Sequence, residues 1–325
     1  MYSYLGNRLP SYVTPDINQR PHIMFAVFST LFNVVLPAFV IMGIGAIIGY
    51  YLKLDIRSIN RLALYSTTPA LIFNSLSRTT LEPANVGRLL AAFFVMLVSM
   101  LVISSLASLR LPASARRGVI ASSMFVNSAN LMFPVTLFAI GDAGVERALV
   151  LYVTTTVLLY IVCPIIFSEG ASPRKLVASV LSIPVVWAAL AAFAFNTAGW
   201  SLPLGIGRGV ELLAGAAIPL VLLVLGMQIQ RTGLPIPSRV NWLASGLRLL
   251  VGPCIAFAAA YGLGLRDIDL AVVTLFGAMP PAVMVFMLAL EFSDNAEEVA
   301  RTVVFSTLSA LVSVSIVVTL IQPML

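Results

Sequence analysis

Ten runs of about 20 apolar residues follow one another along the chain with only short polar connections, and no other feature restricts the possible folds as strongly. They lie near residues 25–51, 58–77, 88–109, 116–140, 145–168, 176–196, 208–230, 240–263, 269–292 and 298–321. Inside a lipid bilayer every backbone amide and carbonyl must be satisfied by the protein itself, so such runs fold as helices or as strands of a closed barrel. None shows the in–out alternation of a barrel strand. Composition agrees, with 60% of the 325 residues hydrophobic and 10% charged, against about a quarter charged in soluble domains. The expected class is an all-α integral membrane protein with ten transmembrane helices and no separate soluble domain.

The remaining composition removes other classes. The single histidine, His22, precedes the first run, so neither a catalytic residue set nor a metal-ligand set is expected, and no cofactor. Cys163 and Cys254 both fall inside apolar runs and are read as small buried hydrophobes. A net charge of +6 is scattered through short loops rather than gathered on one face, which speaks for membrane orientation and against a nucleic-acid partner. Eleven Lys and Arg, Lys53, Arg57 and Arg61 among them, fall on one side of the ten-run layout and seven on the other, with Arg248 inside the eighth run. That bias places both termini outside the cytoplasm. Residues 1–22, MYSYLGNRLPSYVTPDINQRPH, lack the apolar core of a signal peptide and are expected to form an exposed tail.

Prolines suggest a repeat. Pro37 pairs with Pro184, Pro69 with Pro219 and Pro134 with Pro280, at offsets of 147, 150 and 146 residues. With five runs per copy, the second copy must enter the membrane inverted. The expected units are residues 23–169 (helices 1–5) and 170–325 (helices 6–10). Helix breakers at corresponding places in two halves point to a secondary transporter whose site lies where two interrupted helices meet near mid-membrane.

The fourth run carries NSANLMFP, residues 127–134, and the ninth carries AMPPAVM. If helix 4 unwinds around NSANLMFP and helix 9 around AMPPAVM, the two breaks cross and cover each other's freed backbone groups. The N-termini of the half-helices then direct partial positive charge to the crossing, which favours an anion. Asn127 and Asn130 would add neutral amide donors in a water-open pocket. The candidate substrate-binding set is Asn127, Ser128, Asn130, Pro134, Met279, Pro280, Pro281 and Thr68. Arg248, about 13 Å along its helix from Arg239 at 1.5 Å per residue, is expected to snorkel to the cytoplasmic surface.

INRLALYSTTPALIF, NSANLMFP, LRLLVGP followed by GLGLR, AMPPAVMVFMLALEF and ARTVVFSTLSALVSV occur in order across the runs. In these words the chain resembles the auxin efflux carrier family, which holds plant auxin carriers and bacterial carriers of malonate and malate. The resemblance implies a fold like that of bile-acid symporters: helices 1, 2, 6 and 7 as scaffold, helices 3–5 and 8–10 as a transport domain moving like an elevator. It also implies a homodimer in a cell membrane and Asn127 as the crossover asparagine. The chain departs from the plant carriers in two places: their long cytosolic loop shrinks to SEGASPRK, and Pro281 stands where they often carry glutamine. The function this implies is transport of a small organic acid, an auxin-like monocarboxylate or a malonate- or malate-like dicarboxylate, in the outward direction. A sodium- or proton-coupled symporter and a membrane sensor on the same fold are the alternatives.

Overall fold

The computed structural model describes residues 23–52, 54–167, 172–233, 236–293 and 295–325. The N-terminal tail, Lys53, Asp294 and residues 168–171 of the SEGASPRK connection lie outside the described residues. Among the described residues there is no strand, and the helices are, in order, α1 (Ile23–Thr30), α2 (Leu36–Leu52), α3 (Ile56–Leu62), α4 (Thr68–Leu76), α5 (Pro83–Ala107), α6 (Ala113–Met124), α7 (Phe133–Ala139), α8 (Asp142–Phe167), α9 (Pro173–Leu181), α10 (Pro184–Ala198), α11 (Leu204–Thr232), α12 (Arg239–Gly246), α13 (Gly252–Gly262), α14 (Asp267–Ala278), α15 (Val283–Phe292) and α16 (Ala296–Ile321).

Six helical runs among the described residues are long and apolar enough to cross a membrane: Val27–Leu52, Pro83–Ala107, Asp142–Phe167, Leu204–Arg231, Arg239–Gly262 and Ala296–Met324. They make this a multi-pass membrane protein. The shorter apolar helices Ser128–Ala139, Pro184–Ala198 and Val283–Phe292 accompany them. The sixth apolar run of the sequence is divided, since α9 ends at Leu181 and Pro184 opens α10.

Wide turns recur at four places and have one cause. The π-helical segments Leu31–Val35, Ala63–Thr67, Ser128–Met132 and Leu247–Val251 each end two residues before a proline: Pro37, Pro69, Pro134 and Pro253. Proline lacks the N–H that would bond the carbonyl four residues back, and its ring crowds that carbonyl. The ladder widens by one residue to relieve both. Leu36 N–H thus donates to the carbonyl of Leu31, Thr68 N–H to Ala63 and Gly252 N–H to Leu247, five residues back each time. The spacing partners of Pro37, Pro69 and Pro134 do not share this role. Pro184 starts a helix, Pro219 sits inside unbroken α11 and Pro280 lies outside any helix.

The packing falls into two groups. α2 lies along α11, and α4 packs on α10 and α11. There the helices touch backbone to backbone: a Cβ built on Gly226 would collide with the carbonyl of Met42. In the second group α13 packs on α14 and α5, and α12 on α16. A polar seam joins α12 to α16, with Asn241 Nδ2 donating to Thr302 Oγ1 at 2.9 Å and Ser245 bonded to Ser306 at 2.6 Å. Such bonds hold helices together where lipid removes the hydrophobic drive to associate.

Candidate functional site

Two helices are interrupted and meet. α6 ends at Met124, Phe125 is extended (φ −104°, ψ 125°), and the chain re-enters a helix only at Ser128. α14 ends at Ala278, Met279 is extended (φ −68°, ψ 144°), and α15 begins at Val283. The two gaps pair as a short antiparallel bridge between Val126 and Pro281. Asn127 N–H donates to the Pro280 carbonyl at 2.7 Å, and Ala282 N–H donates to the Phe125 carbonyl at 3.0 Å. In this register neither Pro280 nor Pro281 is asked for the N–H it lacks, so prolines fit a pairing they would otherwise disrupt.

The fourth apolar run therefore breaks at Phe125–Asn127, at the leading edge of the stretch NSANLMFP that the sequence marks. Pro134 is not the breaker. It lies buried in continuous helix seven residues past Asn127, where it widens the preceding turn. The break is set by pairing with a strand-like segment more than 150 residues away, which no local rule in helix 4 reveals.

Asn127 closes the gap on both sides. Its backbone (φ −75°, ψ 72°) makes an inverse γ-turn, with Ser128 N–H donating to the Val126 carbonyl at 2.8 Å. Its side-chain Oδ1 accepts from Asn130 N–H at 3.2 Å and caps the new helix. Its Nδ2 is buried without a hydrogen-bond partner among the described residues, and the residue is only 4% exposed. Asn127, expected in a water-open pocket, is buried here. The hydroxyls of Ser122, Ser123 and Thr136 on the same broken helix are buried without partners among the described residues.

The candidate substrate residues divide. Asn127, Ser128, Asn130, Met279, Pro280 and Pro281 come together at the bridge or on its immediate flanks. Pro134 stands one to two turns away along α7. Thr68 is buried at the start of α4, and among the described residues no hydrogen bond joins it to the crossover.

Arg248 is the residue the sequence reading misplaces. It does not snorkel: it is 0% exposed and lies under the crossover. Nη1 donates to the Ser123 carbonyl at 2.8 Å, Nε to the Met279 carbonyl at 3.0 Å, and Nη2 to the carbonyls of Phe276 (3.4 Å) and Gly277. These carbonyls belong to the C-terminal ends of α6 and α14 and to the linker that follows, where the interrupted ladders leave acceptors unpaired and concentrate partial negative charge. Glycines admit the guanidinium: a Cβ on Gly252 would lie 2.5 Å from the Gly277 carbonyl and 3.0 Å from Arg248 Nη2. The visible signal in the sequence is a charge inside an apolar run, followed by Gly252 and Pro253.

Cys254, also expected to be buried, is exposed. It lines an apolar groove of about 840 Å³ between α12–α13 and α16, with Leu250, Phe257, Val312 and Ile316. None of the crossover residues lines that groove, and its walls offer no charged group or amide to an anion.

Residues 171–318 match the family described as Membrane transport protein. The chain is 29% identical over 282 residues to an uncharacterized transporter of Methanothermobacter thermautotrophicus, covering 82% of this chain and 92% of that one. It is 24% identical over 301 residues to an uncharacterized transporter of Methanocaldococcus jannaschii, covering 85% and 95%. Against auxin efflux carrier component 8 of Arabidopsis thaliana it is 28% identical over 131 residues, 40% of this chain and 35% of the plant carrier.

Proposed function

We propose that this chain, a membrane transporter of the auxin efflux carrier family, carries small organic anions outward across a cell membrane by alternating access. The observation that carries this reading is the amide of Asn127, a donor buried without a partner among the described residues where two broken helices cross. An unsatisfied amide away from water costs about 1–3 kcal/mol by mutational data, a cost that a carboxylate accepting from Nδ2 would remove. The helical starts at Ser128 and Val283 flank the same point, and the partial positive charge at a helix start favours an anion. Buried Arg248 adds a full positive charge behind them.

The reading includes ten membrane passes in two inverted units, residues 23–169 and 170–325, with both termini non-cytoplasmic. It takes helices 1, 2, 6 and 7 as scaffold and helices 3–5 and 8–10 as the part that moves. The two packing groups support that division, since α2, α4, α10 and α11 pack on one another while α13 packs on α5 and α14. An inside-negative potential drives an anion outward with about 2.3 kcal/mol per charge at 100 mV, so efflux needs no coupled ion. The substrate class is an auxin-like monocarboxylate or a malonate- or malate-like dicarboxylate.

Purified protein in sodium-free liposomes tests this by counterflow of labelled indole acetate, malonate and malate, with labelled choline as the cationic control. Accumulation of at least one acid and none of choline is expected. Flux of choline, or of no acid even after sodium is added, would overturn the reading, and acid flux that appears only with a sodium gradient would move it to symport.

A further inference from the structure

Five groups converge beneath the crossover: the guanidinium of Arg248 and the carbonyls of Ser123, Phe276, Gly277 and Met279. All four acceptors are main-chain oxygens, and among the described residues no carboxylate lies within ion-pair distance of the arginine. An arginine whose work was to pair with a fold's acidic group would show that group. Here the partners are instead the negative ends of two helix ladders that face one another and would repel if left alone. Two more oxygens stand next to them in the chain, the Ser122 and Ser123 hydroxyls, both buried and neither bonded among the described residues. Carbonyl and hydroxyl oxygens of this kind are what a hard cation takes in place of its hydration shell.

We propose that the guanidinium of Arg248 is a tethered cation filling an oxygen-lined cation site at the crossover, and that removing it uncovers a site for a free monovalent cation of the sodium class. The positive charge that holds the two helix ends together is covalently part of the chain, so it neither leaves nor consumes an ion gradient when the carrier turns over. Gly252 belongs to the same device, since a Cβ there would lie 3.0 Å from Arg248 Nη2 and crowd the guanidinium. The transport consequence rests on the carrier reading above; the binding consequence does not, because it is read without any substrate.

The test compares wild type, Arg248→Ser and Arg248→Lys in detergent, following monodispersity and Tm in choline, sodium, potassium or guanidinium chloride at equal ionic strength. Wild type and Arg248→Lys, which keep a tethered charge, should show the same Tm in sodium and in choline. Arg248→Ser should lose stability in choline and regain it in sodium, its Tm climbing with the logarithm of the sodium concentration as linkage requires. In liposomes its flux should be at least about tenfold higher in sodium than in choline, the ratio expected if 1.4 kcal/mol of ion binding is lost. Recovery of Arg248→Ser by guanidinium alone would show a need for the hydrogen-bond fork rather than for a cation, and overturns the proposal. So does recovery in none of the salts, or a wild type whose Tm rises specifically with sodium. Sodium-dependent stability of the serine variant without transport of any acid would instead uphold the cation site and count against the carrier reading.

Discussion

Asn127 and Pro280 are joined by a 2.7 Å hydrogen bond from the amide of one to the carbonyl of the other. Together with the return bond from Ala282 to Phe125 it lets two helices stop at bilayer depth without leaving their backbone groups bare. That economy leaves the Asn127 side-chain Nδ2 as a donor without a partner among the described residues, and the first prediction follows from it.

Asn127→Ala removes one charge-assisted hydrogen bond to a carboxylate, worth about 1.5–3 kcal/mol. Substrate affinity should fall by about ten- to a hundredfold, measured by equilibrium binding of the labelled acid that the counterflow assay identifies. The variant also loses the cap on Asn130, about 1 kcal/mol, so its Tm should drop modestly. An unchanged affinity with a lowered Tm would make the asparagine interhelical glue and remove it from the site.

Pro134→Ala should do little. Helix runs through this position and the break lies at Phe125–Asn127, held by bonds to Pro280 and Ala282. The restored N–H should tighten the Ser128–Met132 turn while flux stays within a few-fold of wild type. Abolished transport in a monodisperse protein would show that the wide turn, and not the bridge alone, shapes the site.

Gly226→Ala should loosen the packing of α11 on α2, because its Cβ would meet the Met42 carbonyl, which is backbone and cannot rotate away. Overpacking of this kind costs about 1–3 kcal/mol. Gly43→Ala is the control on α2, with nothing within 4 Å of its Cβ. A thermal scan should separate the two variants, and equal Tm values would contradict the close approach of these helices.

Arg147 in the second turn of α8 and Asp269 in the first turn of α14 form an ion pair, with side chains 16% and 14% exposed. That burial lies between a surface pair, worth about 0–1 kcal/mol, and a buried one. Either single alanine variant should destabilise, and the charge swap Arg147→Asp with Asp269→Arg should recover part of the loss. A swap no better than the singles would show that the pair's surroundings, rather than the pair, set the cost.

The helices were legible because apolar runs report burial in lipid directly, whatever their neighbours. Their interruptions were legible only in part. Asn127 and Pro280 stood out as polar and proline residues in apolar runs, and the break expected around NSANLMFP does include Asn127, but Pro134, the local signal for a breaker, lies in helix. The actual cause is a pairing of Val126 with Pro281, which local reading does not see. Arg248 was misplaced for the same reason: its depth along one helix suggested snorkelling, whereas its acceptors lie 28 to 125 residues away in sequence. Cys254 was misread because an apolar run does not say which of its faces meets lipid.

The most direct measurement is efflux of labelled acid from liposomes under a clamped potential, for wild type and Asn127→Asp. The aspartate keeps an oxygen to cap Asn130 but replaces the donor with a negative charge, so the fold should persist while an anion is repelled. Wild-type efflux should accelerate as the interior is made more negative, and Asn127→Asp should be monodisperse and silent at every potential. Wild-type flux indifferent to potential, or an aspartate variant that carries the acid as well as wild type, would contradict an anion carrier built on this crossover.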